Sequence, residues 1–109
     1  MKLLPTFKPR TYDTVLEFMS RVLMPDPTTG KSHLVKLIEY ADGHYRAVFS
    51  PAYFVLPAGQ LEPSKSQWNN LKKRMKRHEP LVFVFKEHGE TNAPSGGKYY
   101  FVDFGFFAN

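Results

Sequence analysis

Proline sets the first limit on what this chain can fold into. Nine prolines, at positions 5, 9, 25, 27, 51, 57, 63, 80 and 94, divide the 109 residues into short runs. A proline removes a backbone donor and crowds the preceding turn, so it belongs where a helix or strand begins or ends. The regular elements therefore have to fit between these positions, and the periodic segments do.

The first is a helix over 11–24. Tyr12, Val15, Leu16, Met19, Val22 and Leu23 recur at i, i+3, i+4, i+7, i+10 and i+11, one apolar stripe on a 3.6-residue period. Thr11 is the expected N-cap, Asp13 suits the first turn, and Pro25 stops the helix. Phe18 falls off the stripe.

The run His33–Tyr40 is ambiguous by period, and Asp42-Gly43 decides it in favour of a strand. An Asp-Gly pair supplies the two positive-φ positions of a type I′ turn, so 33–40 and the strand-like 44–49 read as a hairpin. Tyr53–Leu56 reads as a further short strand. Ser64 is the expected cap of a second helix over 64–78, with Trp68, Leu71 and Met75 on its apolar side. Leu81–Phe85 is apolar at both parities and reads as a central strand. The polar run 88–97 reads as a connection, and 98–107 as the last strand.

The expected order is α-β-β-β-α-β-β. That is one α+β domain over 1–109, an antiparallel sheet of four to five strands with two helices. The two halves, 11–50 and 64–107, share an outline but no sequence repeat.

Charge is concentrated in one place. The segment 64–78 holds Lys65, Lys72, Lys73, Arg74, Lys76 and Arg77 and no acid, whereas the whole chain has a net charge of +5. The other 94 residues, with 9 bases and 10 acids, are nearly neutral. Cations in a last helical turn complement the helix dipole by roughly 0.3–1 kcal/mol each, which one or two residues would satisfy. The cluster 72–77 is either a solvated face or a patch for a polyanion. The second reading makes Lys72, Lys73, Arg74, Lys76 and Arg77 candidate contacts to single-stranded nucleic acid or an acidic protein.

The last strand is aromatic. Gly97-Lys98-Tyr99-Tyr100-Phe101-Val102-Asp103-Phe104 resembles in its chemistry the RNP1 stretch of RNA-recognition motifs, where aromatics that stack on bases alternate along a strand. Tyr99, Phe101, Val102 and Phe104 fall on that pattern, while Gly97, Lys98 and Tyr100 depart from it. The family's stretch also lies on an inner strand with more elements to follow, so the likeness is one of chemistry and not of membership. Alternation places Tyr100, Val102, Phe104 and Phe106 on a core face, and Tyr99, Phe101, Asp103 and Phe107 on the other. Asp103 argues that the second face is at least partly wet, since an unpaired buried carboxylate is costly. Tyr99 and Phe101 are therefore candidate stacking or interface residues, including for a homodimer. The competing expectation is that helix 11–24 covers them.

Other chemistry is thin. Gly30-Lys31-Ser32 matches the end of a P-loop signature, but Pro25 stands where the loop needs glycine, and a strand is expected to follow. His33 and His44 are expected roughly in register across the hairpin, and His78 and His88 stand beside Glu79 and near Glu90. No metal-ligand spacing, nucleophile elbow or telling carboxylate pair is present, so no catalytic residue, metal or cofactor is expected. The chain has no Cys, which rules out a disulfide scaffold and a thiolate zinc site. Pro5, Lys8 and Arg10 interrupt the start before a signal peptide's apolar region forms, and no run approaches the ~20 apolar residues of a membrane span. The expected setting is the cytoplasm. The sequence reading is thus a small non-catalytic binding module for nucleic acid or another polyanion, the alternative being a protein–protein adaptor built on the aromatic strand.

Overall fold

A computed structural model describes residues 7–78, 82 and 85–107. It has two helices and a four-stranded antiparallel sheet, an α+β fold. The helices are α1 (Tyr12–Val22) and α2 (Lys65–His78). The strands are β1 (Leu34–Glu39), β2 (Tyr45–Phe49), β3 (Glu87–Asn92) and β4 (Lys98–Phe104), in the spatial order β1-β2-β4-β3. Phe7 bridges to Phe107 and Val82 to Phe106, both antiparallel.

Both helices start as their caps dictate. Thr11 Oγ1 accepts from the Thr14 N–H at 3.2 Å. At α2, Ser64 Oγ accepts from the Gln67 N–H at 3.2 Å and Gln67 Oε1 accepts from the Ser64 N–H at 2.8 Å, a reciprocal capping box. On α1 the buried residues are Val15, Phe18, Met19 and Val22. Phe18 therefore joins the core, edge-on to Phe106 at 5.6 Å and tilted to Phe104 at 6.0 Å, while Tyr12 is exposed. Leu16 is partly buried at the margin of the core.

Register fixes the two faces of the sheet. Leu37, Ala47 and Val102 lie in one cross-strand row, Tyr45 with Phe104 and Phe49 with Tyr100 in others, and these face the core. Both helices pack here: α1 through Phe18 on Phe104, and α2 through Trp68, 6.0 Å from Tyr100 and 6.3 Å from Phe49. The opposite face carries Ile38, Arg46, Asp103 and Glu87 in one row and Lys36, Val48, Phe101 and Gly89 in the next. No helix among the described elements lies on it. The expectation that helix 11–24 covers Tyr99 and Phe101 is thereby reversed.

Two expected elements differ. Tyr53–Leu56 is not a strand; Pro51–Tyr53 makes one 3-10 turn, and Phe54 drops into the core 5.0 Å from Trp68. The polar stretch expected to be a connection is the edge strand β3, closed onto β4 by a turn in which Gly96 and Gly97 take φ of +91° and +81°. An edge strand half open to solvent needs no apolar face, which is why Glu87–Asn92 gives no strand signal. The central strand expected at 81–85 falls largely outside the described residues, where Val82 is buried and bridges to Phe106. The hairpin turn also differs from type I′. The Tyr40 N–H donates to His44 O, Gly43 N–H donates to Tyr40 O, and Gly43 has φ +87° while Asp42 does not have positive φ. The loop is thus three residues, Ala41-Asp42-Gly43, the other common hairpin closure that needs one left-handed glycine.

Candidate functional site

Helix α2 is built as an amphipathic rod. Trp68, Leu71 and Met75 are buried. Ser66, Asn69, Asn70, Lys73, Lys76 and Arg77 are exposed on its other side. Among the described residues, no carboxylate pairs with any α2 cation; the ion pairs lie elsewhere, at Arg21–Glu17, His44–Asp42, Arg46–Asp103, Lys86–Asp42 and Lys98–Glu90.

The five expected contact residues do not form one strip. Lys73, Lys76 and Arg77 come together with Asn70 around a shallow depression of about 460 Å³. Lys72 turns aside: its Nζ donates to His88 Nδ1 at 3.0 Å and stands 5.7 Å over the Phe85 ring. Burial, then the charge of Lys76, lowers the Lys72 ammonium from its ordinary pKa. The same corner holds the His88 imidazole below its ordinary value, through burial first and the Lys72 charge second, against a smaller opposing effect of Glu87. The His88 ring rests 4.4 Å from Trp68. Arg74 turns to the other flank, with Nη2 on Met24 Sδ, its Nε buried without a hydrogen-bond partner, and its charge close enough to Tyr53 to act on the phenol. Asn70 is the residue that sequence reasoning passed over. Its signal is spacing, because 66, 70, 73 and 77 recur at i, i+4, i+7 and i+11.

The aromatic pair does not share this surface. Tyr99 and Phe101 lie on the sheet face opposite the helices. Phe101 is buried, with the Arg46 guanidinium 3.9 Å over its ring and the Gly89 backbone beside it. Asp103 is buried too, and not wet as expected, because Arg46 Nε and Nη2 donate to its two oxygens at 2.8 and 3.0 Å. Tyr99 remains half-buried, beside Val35, Ile38, Val48, Thr91 and Pro94 in a groove of about 250 Å³. A single site combining the basic helix with both rings is therefore not formed.

The remaining candidates are occupied by structural work. In the loop before β1, Asp26 Oδ1 accepts from the Thr28 and Thr29 N–H groups at 2.8 and 2.9 Å, Asp26 O accepts from Gly30, and a strand follows, so this is no phosphate-cradling loop. His33 and His44 sit at opposite ends of the hairpin rather than in register. His33 Nδ1 is 3.4 Å from Ser50 Oγ, and His44 is stacked on Tyr40 with its Nδ1 on Asp42. Among the described residues no group of three or more His, Cys, Asp or Glu could hold a metal ion. No helix among them is long and apolar enough to cross a membrane. Comparisons with protein-family models, curated proteins and solved structures find no match for this chain.

Proposed function

We propose that the protein is a non-catalytic binding module that takes nucleic-acid backbone on the solvent face of α2. The observation that carries this reading is the set Lys73, Lys76 and Arg77, exposed, clustered and without a carboxylate partner among the described residues. Five or six cations on one helix repel one another, and a bound polyanion removes that cost while releasing its own counterions. The contacts position a phosphate chain and carry no sequence information by themselves.

The test is binding of a labelled 20-nucleotide oligonucleotide across a salt series. Each phosphate neutralised on a single strand contributes about −0.7 to the slope of log K against log salt, so three contacts give roughly −2. The double variant Lys73→Ala/Arg77→Ala flattens that slope by about 1.4. No binding at about 50 mM salt, or an unchanged slope in the variant, overturns the reading.

A second reading, an adaptor that docks a protein on the outer sheet face, is favoured by the groove beside Tyr99. Its apolar lining includes the exposed Val35 and the half-buried Ile38, and no helix among the described elements covers it. A homodimer formed through this face would show in sedimentation as a concentration-dependent mass that Tyr99→Glu abolishes.

A further inference from the structure

Resting on the phosphate-binding reading, we propose that α2 enters the major groove of B-form DNA and reads base edges there. Three features of the helix point to a groove rather than to backbone contacts alone.

The first is what stands in the exposed row. Ser66, Asn70, Lys73 and Arg77 lie opposite the buried Trp68, Leu71 and Met75, with Asn69 on the shoulder, and all five are exposed. A surface that meets phosphate needs cations. Amides and a hydroxyl in the same row add both donors and acceptors. Asparagine matches the paired donor and acceptor of adenine in the major groove. Gln67 is excluded from this role, since its Oε1 is engaged in the capping box.

The second is the distribution of charge around that row. Lys65 and Lys76 stand exposed on one shoulder, while Arg74, on the other, is turned onto Met24. A helix about 10–12 Å across with its side chains fits a groove about 12 Å wide, and Lys65 and Lys76 on its exposed shoulder then meet the phosphates of one strand. The 14 residues of α2 extend roughly 21 Å, long enough for the row to follow several base pairs.

The third is the absence of stacking rings. Single strands are held by bases stacked on aromatic side chains as well as by charge. The one Trp, Tyr or Phe of α2 is Trp68, which is buried, and Tyr99 and Phe101 are on the far face of the sheet. Double-stranded RNA hides its base edges in a deep, narrow major groove that side chains do not read. Duplex DNA is the nucleic acid whose readable surface fits an exposed helix carrying amides and cations.

The experiment is selection by the full chain, at low salt, from a pool of random-sequence DNA duplexes, followed by sequencing of the retained fraction. The expected result is enrichment of a short motif. Asn70→Ala and Asn69→Ala, both surface changes, should each relax the preference at one position by roughly 5- to 150-fold, the range of one good bidentate base contact, with the salt slope unchanged. A retained pool identical to the input overturns the proposal, as do full wild-type preference in both variants and tighter binding of the single strand than of its duplex. In each of these cases an intact salt slope leaves the phosphate-binding reading standing. Failure of every nucleic acid to bind at low salt removes both.

Discussion

Arg46 reaches across from β2 to close a two-point hydrogen-bonded pair with Asp103 on β4, at 2.8 and 3.0 Å, and the same guanidinium covers the Phe101 ring. Asp103 is almost wholly buried while the Arg46 side chain is about a quarter exposed (27%). The two partners therefore differ in what they leave behind.

Replacing Arg46 by Ala strands a buried carboxylate and uncovers Phe101. The expected cost is about 3–5 kcal/mol of unfolding free energy by urea titration. Asp103→Ala leaves a guanidinium that can still reach water, and should cost clearly less, about 2 kcal/mol. The double replacement Arg46→Met/Asp103→Leu should be milder than Arg46→Ala alone, since no charge is left unpaired. Equal costs for the two single variants would contradict the asymmetry.

The core of α1 gives a second prediction. Phe18 packs on Phe104 and Phe106, whereas Leu16 lies at the margin. Phe18→Ala should cost about 3–5 kcal/mol, and Leu16→Ala less than 2 kcal/mol. A thermal melt ranks the two directly, and the reverse order would place the apolar stripe of α1 one residue out of phase.

The His88 corner predicts acid sensitivity. Its imidazole pKa is lowered on folding, so below about pH 6.5 the unfolded chain binds more protons than the native one and stability falls with pH. His88→Gln should flatten the loss between pH 7 and pH 5, measured by urea midpoints. Asp42 acts in a lower window. Burial opposes its ionisation, but bonds from Lys86 and from the His44 N–H and ring outweigh that and depress its carboxyl. Its contribution is present above about pH 4 and lost below.

The capping box at α2 predicts a modest, local effect. Ser64→Ala should cost about 0.5–2 kcal/mol and raise amide exchange in the first turn of the helix. Gln67→Ala should act in the same direction, because Gln67 Oε1 accepts from the Ser64 N–H.

Where a local rule acted alone, the sequence was readable. Thr11 and Ser64 cap as their side chains demand, and Trp68, Leu71 and Met75 face inward as their spacing demands. The partition of β4 into a core face and an outer face also follows from alternation. What was not readable depended on partners distant in sequence. Asp103 could be judged buried only once Arg46, 57 residues away, was seen to pair with it. The strand β3 has no apolar pattern because its pairing with β4 supplies what its side chains do not, and the Phe101 ring lies against Gly89. Phe18 is off the simple stripe because the rings of Phe104 and Phe106 extend the core to meet it. At the candidate site, the cluster of charge was legible, but its division among three directions was not. Lys72 is drawn to His88 and Arg74 to Met24, leaving Lys73, Lys76 and Arg77 outward.

The strand order β1-β2-β4-β3 has a consequence for how the chain comes to be made. β4 is the last of the four strands to leave the ribosome, yet it lies inside the sheet, joined to both β2 and β3. Until it arrives, the β1–β2 hairpin presents an unsatisfied inner edge and an apolar flank of Tyr45, Ala47 and Phe49. An unpaired edge of this kind is a template for other chains. Assembly must therefore wait for contacts between residues some 50 positions apart, a separation that slows closure. During synthesis the nascent polypeptide is thus at its most vulnerable to aggregation after β2 has emerged and before Lys98–Phe104 follows.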